Sequence, residues 1–581
     1  MWDCNQSKNK NTSSAFNETI KKQYNSDLDD LIIKVNQMKL SKSVIESKKS
    51  FFEARLAFKK LEPILPSYKP SLYRSLNQPN LITVHEDNNA FKNELPHGFQ
   101  VLEELLWGEN IDQKQVKIEI QLLSNALKLD KANVDFSYFK EYHFLWAVRQ
   151  QLLRVVSLGI SGFDSPIAKH SIPETKAVFE SMKNYFVLNE KLFKNAEIHK
   201  KWIDLLEKNI VYLSVNKDFN AFDRYNYIKN NIHPFLPIWI ATVKDWEVSF
   251  PFETELKYDA TTFFSDKTFN LDYFSPVYSR NLSKELKPLG KTLFNDPTLS
   301  RNSIFSCASC HQEKKYFTDG LIKSASNSGG TLSRNTPTLL YSGLQKAQFY
   351  DARADFIENQ IMEVANNPKE FHTNAETMVK NIKKNKSYIK QFELQFKDGL
   401  TPRNLTVAIA SYVRSLQPFN SKFDRNINQQ ENTLTSDEIN GFNIFMGKAK
   451  CGTCHFAPIF NGTSPPEYLH NDLEVIGVPV KPQLSKAKID EDKGRFLIFD
   501  APWRKHAFKT SNVRNIEKTA PYFHNGAYKT LEEVIEFYNQ GGGNGIGLSL
   551  ENQSLPNEKL LLTKKEKQDI VLFLKTLTDK Y

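Results

Sequence analysis

Residues 448–462 read KAKCGTCHFAPIFNG, and whatever fills the pentad at 451–455 decides how this chain is built. Two cysteines two residues apart, with a histidine directly after, suit a disulfide, part of a zinc site or a covalent haem anchor. Working outward, a second copy stands at 307–311, inside SIFSCASCHQ (303–312). The chain has five cysteines and twelve histidines, so chance would produce even one such pentad only about once in a thousand sequences.

The spacing has a chemical reason. Two thiols on one turn can form thioethers to both haem vinyl groups, and the imidazole of the next residue then falls beneath the macrocycle as an axial ligand. A zinc site made from all four cysteines would leave both histidines unexplained, and a redox CxxC belongs in a βαβ context that this sequence does not show. The pentads therefore read as two covalently bound c-type haems: one on Cys307 and Cys310 with His311 on its iron, the other on Cys451 and Cys454 with His455. Covalent attachment places the chain outside the cytoplasm, in the periplasm or cell envelope of a bacterium.

At 581 residues the chain exceeds a single core and should divide into domains. No run reaches the roughly 18 consecutive apolar residues of a membrane span. The formal charge of +10 is dispersed, and lysine-rich spots such as KNIKKNK (380–386) read as solvated helix faces, so nucleic acid is not an expected partner. The opening MWDCNQSKNKNTSS (1–14) reads as a flexible tether without an apolar leader. Cys4 within it is either a lipid-anchored cysteine or an unpaired one.

The expected fold is mainly α: an N-terminal helical bundle followed by two cytochrome c-like haem lobes. In the bundle, residues 15–250, SFFEARLAFKKLEPIL, LPHGFQVLEELLWGEN and EYHFLWAVRQQLLRVVSLGI place apolar residues at three- and four-residue spacing. The stretch 251–276 lacks a helical period and reads as a linker. Residues 277–430 and 431–581 then form the two lobes, one per pentad. The bundle resembles the imelysin family, whose GxHxxE signature aligns with GFQVLE (98–103), but Gln100 stands where the signature has histidine. A structural or docking role is the expectation for this part.

A chain of landmarks surrounds the pentads: LGKTLFNDPTLSRNSIFSCASCH (289–311), FTDG (317–320), SRNTPTLL (333–340), QFYDARADFIENQ (348–360), NNPKEFH (366–372), AFKTSNVRNIEKTAPYFHNG (507–526) and TLEEVIEFYNQGGG (530–543). With these, residues 289–581 closely resemble the bacterial di-haem cytochrome c peroxidases and their MauG-like relatives. The resemblance implies a peroxidatic first haem and an electron-transfer second haem. Glu370 matches the family's acid/base glutamate, a group able to take a proton from one peroxide oxygen and deliver it to the other, and Gln360 matches the glutamine of the same pocket. Asn335, Thr519 and Pro521 match the positions that hold a calcium ion through a side-chain oxygen and two carbonyls.

Departures from the family pattern sharpen the reading. No histidine lies between 312 and 371 to act as a removable distal ligand, so the first haem should be open at rest unless His372 takes that role. The family's inter-haem tryptophan is replaced by Tyr350, which either relays electrons or only packs. The methionines are Met1, Met38, Met182, Met362, Met378 and Met446, so none follows the second pentad to complete the usual His/Met iron. Tyr538 aligns with the position where MauG-like proteins carry tyrosine and is the expected second ligand, with His470, His506 and His524 as the alternatives.

The leading expectation is an oxidoreductase of the cytochrome-c peroxidase type, reducing hydrogen peroxide with electrons from a small donor such as cytochrome c, with a dimer as its expected assembly. One alternative is a MauG-like oxidase acting on a partner protein's side chains. The other is an electron carrier or docking module without peroxide turnover.

Overall fold

The computed structural model describes residues 3–39, 43–86 and 92–580, and for residues 3–14 and Lys92 the backbone alone. The chain divides into two compact units: one of residues 1–253 with 258–263 and 450–453, the other of 254–257, 264–449 and 454–581. The regular structure of both is mainly α-helical, with long irregular stretches in the second unit, and the only strands among the described residues form two short antiparallel pairs. No described helix is long and apolar enough to cross a membrane.

In the first unit the opening helix runs Asp3–Met38, so the stretch expected as a flexible tether is helical from its third residue. The side chain of Cys4 lies outside the described residues. The next helix, Val44–Leu61, shows how local sequence sets an element. Ser43 caps it by accepting the Glu46 N–H at 3.1 Å, Lys59 and Lys60 occupy the last turn, and Phe51, Ala54, Arg55, Phe58 and Leu61 bury one stripe.

That stripe carries charge into the core, where it is neutralised. Arg55 forks onto Glu174 at 2.8 and 2.6 Å. Lys59 reaches Glu62 and Asp164, each at 2.6 Å, and Arg154 meets the same two carboxylates at 3.1 and 3.0 Å. Three cations thus face three carboxylates, as burial of charge requires. The GFQVLE segment begins at Gly98, whose φ of +103° and whose approach to the Leu76 carbonyl, 2.5 Å from where a Cβ would sit, leave room for glycine alone. Gln100 donates to the Asn77 carbonyl at 2.9 Å. Glu103 accepts from Ser165 Oγ and from the N–H groups of Ile167 and Ala168 at 2.8–3.0 Å. Both signature positions are thereby consumed by the protein itself.

Residues 251–276 contain no helix; Leu256 pairs with Phe269 in an isolated bridge, and Phe264, Phe269 and Phe274 are buried in the second unit. That unit repeats one device. The helix Leu286–Phe294, ahead of the first pentad, crosses Pro402–Arg414 at Gly290, where a Cβ would lie 2.1 Å from the Ala408 carbonyl oxygen. The helix Ser436–Met446, ahead of the second pentad, crosses Lys564–Thr576 at Gly441, 1.9 Å from the Asp569 oxygen by the same measure. Reciprocal capping boxes, Thr435 with Glu438 and Thr563 with Glu566, start both members of the second pair. Around them Phe423, Phe442, Phe445, Phe460 and Phe573 pack ring on ring, and Arg514 forks onto Asp424 at 2.9 Å through both terminal nitrogens.

Candidate active site

Cys307–Cys310 is a single helical turn, begun by Ser306, whose N–H donates to Ser309 Oγ at 3.0 Å. Residues three apart lie on one face of such a turn, so both thiols point the same way. His311 then leaves the helix and donates Nδ1–H to the Phe317 carbonyl at 3.0 Å, with burial lowering its pKa. The second pentad repeats the plan on a 3-10 turn, Cys451–Thr453. His455 donates Nδ1–H to the Ser511 carbonyl at 2.9 Å, and burial pushes its pKa down to about 4. In both imidazoles the tautomer is fixed, which leaves the Nε2 lone pair for an iron.

The four pentad cysteines form no disulfide and are half-buried. Burial raises Cys307 and Cys451 to about 12 and Cys310 to about 11, so with nothing bound these sulfurs stand as neutral thiols. Among the described residues no group of three or more His, Cys, Asp or Glu side chains converges as a metal cage. Two thiols and one lone-pair nitrogen per turn fit a c-type haem.

Glu370 comes from the turn after the helix Ile357–Asn366. Its N–H donates to Asn367 O at 3.0 Å, and the chain is pinned across from it by Arg301 N–H on Phe371 O at 3.0 Å. The carboxyl is half-buried; desolvation raises its pKa to about 7 against the charge of Arg353 and the Asn367 side chain. Its charge acts on both Cys307 and Cys310, which puts it in the neighbourhood of the first pentad. Gln360 lies on the preceding helix, half-buried. His372, two residues past Glu370, is exposed with its ring nitrogens 3.3 Å from Arg301 Nη1. It lies against that guanidinium at the surface.

The segment around Tyr350 is tied on two sides. Its hydroxyl donates to Asn335 Oδ1 at 3.4 Å, its carbonyl accepts from Lys509 N at 2.6 Å, and burial raises its phenol pKa. Lys509 also holds Gln345 and, at 2.9 Å, the Ala347 carbonyl through Nζ. Asn335 donates Nδ2 to Leu321 O at 2.7 Å and its N–H to His524 O at 2.7 Å, which draws the 519–524 loop against it. Apart from the long contact from Tyr350, Asn335 Oδ1 is uncommitted, and the carbonyls of Thr519 and Pro521 accept no hydrogen bond among the described residues. Three spare oxygens on adjoining segments are the donor type a hard cation takes, so these residues fit calcium.

Tyr538 sits near the end of the helix Leu531–Asn539, which opens on a Thr530/Glu533 capping box. The ring is half-buried, 6.3 Å from Phe523 and 5.5 Å from Phe537 between centroids. His524, next along the loop, is buried, stacks on Phe508 at 3.8 Å and donates Nε2–H to Asp490 at 3.2 Å. That engagement makes it a supporting residue. Sequence reasoning missed Arg353, Lys509, Ser511 and the acids Asp472 and Glu474 beside the second pentad; none carries a local signal, because each acquires its neighbour through folding.

Mainly helical lobes carrying CxxCH turns define a c-type haem oxidoreductase. Residues 284–432 match the family model described as di-haem cytochrome c peroxidase. The chain is 34% identical over 295 residues to cytochrome c551 peroxidase of Nitrosomonas europaea, covering 51% of this chain and 80% of that protein. It is 32% identical over 298 residues to the methylamine utilization protein MauG of Methylorubrum extorquens, covering 51% and 79%. A crystal structure of a MauG-like protein associated with microbial copper homeostasis overlays with a TM-score of 0.45 at 27% identity, over 53% of this chain and 92% of that one. The chain belongs to the di-haem cytochrome c peroxidase family.

Proposed function

We propose that this protein reduces hydrogen peroxide to water in the bacterial periplasm or cell envelope, drawing two electrons per peroxide from a small donor such as a cytochrome c. The first haem is held by Cys307, Cys310 and His311, and the second, where electrons enter, by Cys451, Cys454 and His455. When bound, the haems supply the redox-active iron. The observation that supports the reading is the half-buried Glu370 carboxyl, whose charge acts on both cysteines of the first pentad.

A carboxyl with a proton affinity near 7 is poised between accepting and returning a proton at neutral pH. It can take the proton from the near oxygen of peroxide and pass it to the far one, which leaves as water. Gln360 orients peroxide beside it, and Arg353 keeps part of the Glu370 population ionised. Tyr350 relays electrons, and calcium at Asn335, Thr519 and Pro521 fastens the loop that carries His524. The test is the purified ferric protein given peroxide and a reduced cytochrome c. Glu370→Gln should cut donor oxidation by about 100-fold or more with both haem spectra intact, and unchanged turnover would reject the assignment.

A second reading is favoured by one specific observation, the absence of any methionine after Met446 with Tyr538 at the position it would fill. On this reading the protein is a MauG-like oxidase that withdraws electrons from a partner protein. A peroxide-treated protein that keeps two oxidising equivalents for minutes and ignores the reduced cytochrome would support it over the first.

A further inference from the structure

Two acidic side chains that the peroxide chemistry does not use lie beside the second pentad. Glu474 ends the two-residue strand Leu473–Glu474, which pairs antiparallel with Phe508–Lys509, and Asp472 immediately precedes it. The charge of Glu474 acts on the Asp472 carboxyl. Glu474 Oε1 stands 3.7 Å from Cys454 Sγ. Asp472 is anchored by Ser464 Oγ at 2.9 Å, by its own N–H on Gly462 O at 2.8 Å and by Thr510 N–H on its carbonyl at 3.2 Å. Arg504 is the cation whose charge reaches both; Ser464 beside Asp472 and Ser554 beside Glu474 are neutral donors. Burial raises the proton affinity of both carboxyls, Asp472 to about 7.

Haem attachment changes what Glu474 faces. The Cys454 thiol adds across a vinyl group: sulfur bonds to one vinyl carbon and the thiol hydrogen ends on the other, with no net oxidation. The S–H donor would then be gone, leaving the carboxyl beside a thioether sulfur that can no longer donate to it. In its ionised form the pair places negative charge there, which disfavours an added electron, and the folded interior screens that charge far less than water does.

We propose that the Asp472–Glu474 pair sets the charge at the second haem, lowering its reduction potential so that this haem is held toward its oxidised state. The pair acts through the haem rather than on peroxide, so its members are positioning residues for charge. The inference rests on the second haem being attached at Cys451 and Cys454, as proposed above. Its consequence is a restriction on the donor: only one of still lower potential passes electrons to this haem in bulk.

The test is a spectroelectrochemical titration of the holoprotein without peroxide or donor, with haem content verified. At the wild-type midpoint of the second haem, the Asp472→Asn/Glu474→Gln double variant should show the reduced-to-oxidised ratio raised about tenfold, equivalent to about 59 mV for one electron, with the first haem unmoved. Glu474→Asp, which keeps the charge, should stay near wild type. Asp472→Asn alone, which leaves the Glu474 contact with sulfur in place, should move the ratio in the same direction and carries the test if the double variant fails to load haem. An unmoved ratio in these variants, or equal movement of both haems, overturns the proposal. Peroxide consumption is not read, so a protein that shows the shift but never turns over peroxide would sink the functional reading and leave this one standing.

Discussion

Lys509 donates its backbone N–H to the carbonyl of Tyr350 over 2.6 Å, and two residues further on the carbonyl of Ser511 receives Nδ1–H from His455 at 2.9 Å. Three consecutive residues therefore touch both the tyrosine at the family's inter-haem position and the proximal histidine of the second pentad. If electrons travel by this route, the Tyr350 ring has to be oxidisable and not merely present. Tyr350→Phe keeps the packing and removes the hydroxyl. Donor-supported turnover should fall by about tenfold, the effect of roughly 1.4 kcal/mol in a barrier, while the peroxide-induced spectral change of the protein alone persists. Equal steady-state rates would leave Tyr350 a packing residue.

The pH dependence follows from Glu370. Its folded pKa of about 7 lies above the ordinary glutamate value of 4.5, raised first by desolvation and opposed by Arg353 and Asn367. As the initial base it must be ionised, so kcat/KM for peroxide should rise as pH increases through about 7. Arg353→Met removes the opposing charge and should move that limb to higher pH, and Glu370→Gln should abolish it. The same shift gives a sign for stability. The folded state binds this proton more tightly than the unfolded one, so the contribution is full below about 4.5 and is lost as pH rises through about 7. A rate profile flat from pH 5 to 9 would exclude Glu370 as the base.

Tyr538 is the proposed second ligand of the second iron. Tyr538→Phe should change the low-temperature EPR spectrum of the resting second haem and raise its potential, because a phenolate favours the ferric state. Phe523 and Phe537 pack equally well against either ring, so folding should survive. An unaltered spectrum would remove Tyr538 and return the question to His470, His506 and His524.

The glycine crossings make a prediction about stability. A Cβ at Gly290 or Gly441 would lie 2.1 or 1.9 Å from a backbone oxygen of the facing helix, and backbone cannot turn aside as a flexible side chain can. Gly290→Ala and Gly441→Ala should each cost about 3 kcal/mol, the upper end for overpacking, measured by denaturant unfolding of the holoprotein. Gly441→Ala should also lower the yield of the second haem relative to the first. Unfolding midpoints within error of wild type would show that the helices separate freely.

Calcium has a direct check. Wild-type protein stripped with chelator should bind one equivalent in a calorimetric titration, and Asn335→Ala should weaken or abolish that binding. The variant also loses the 2.7 Å bond from Nδ2 to Leu321 O, so Asn335→Asp, which keeps an oxygen at that position, serves as the partner variant and should retain binding. Wild-type protein that binds no calcium would reject the site.

Much of this was legible in the chain itself. The pentads announce their chemistry because three residues on a turn and the one after it are geometrically coupled whatever surrounds them. The helix stripe of Phe51, Ala54, Arg55, Phe58 and Leu61 is equally local. Glu370 was found through its motif, but what gives it a proton affinity near 7, burial against the nearby Arg353, depends on a chain reversal that no periodicity encodes. The opening residues went the other way: polar and short of apolar stripes, they read as a tether, yet the backbone is helical from Asp3. Helix propensity without an amphipathic pattern is a weak signal.

The sequence by itself placed two CxxCH pentads, at Cys307–His311 and Cys451–His455, as the proposed anchors of two haems, and put no methionine after the second of them. Those are matters of residue type and short spacing, which a local turn converts directly into geometry. Only the tertiary structure decided that His455 finds its acceptor 56 residues away in Ser511, that Glu474 comes to within 3.7 Å of Cys454, and that Tyr350 is clasped by Lys509. A polar group's partner, and with it the charge around each haem, depends on which distant segments pack together, and close packing of helices through Gly290 and Gly441 is what brings them there.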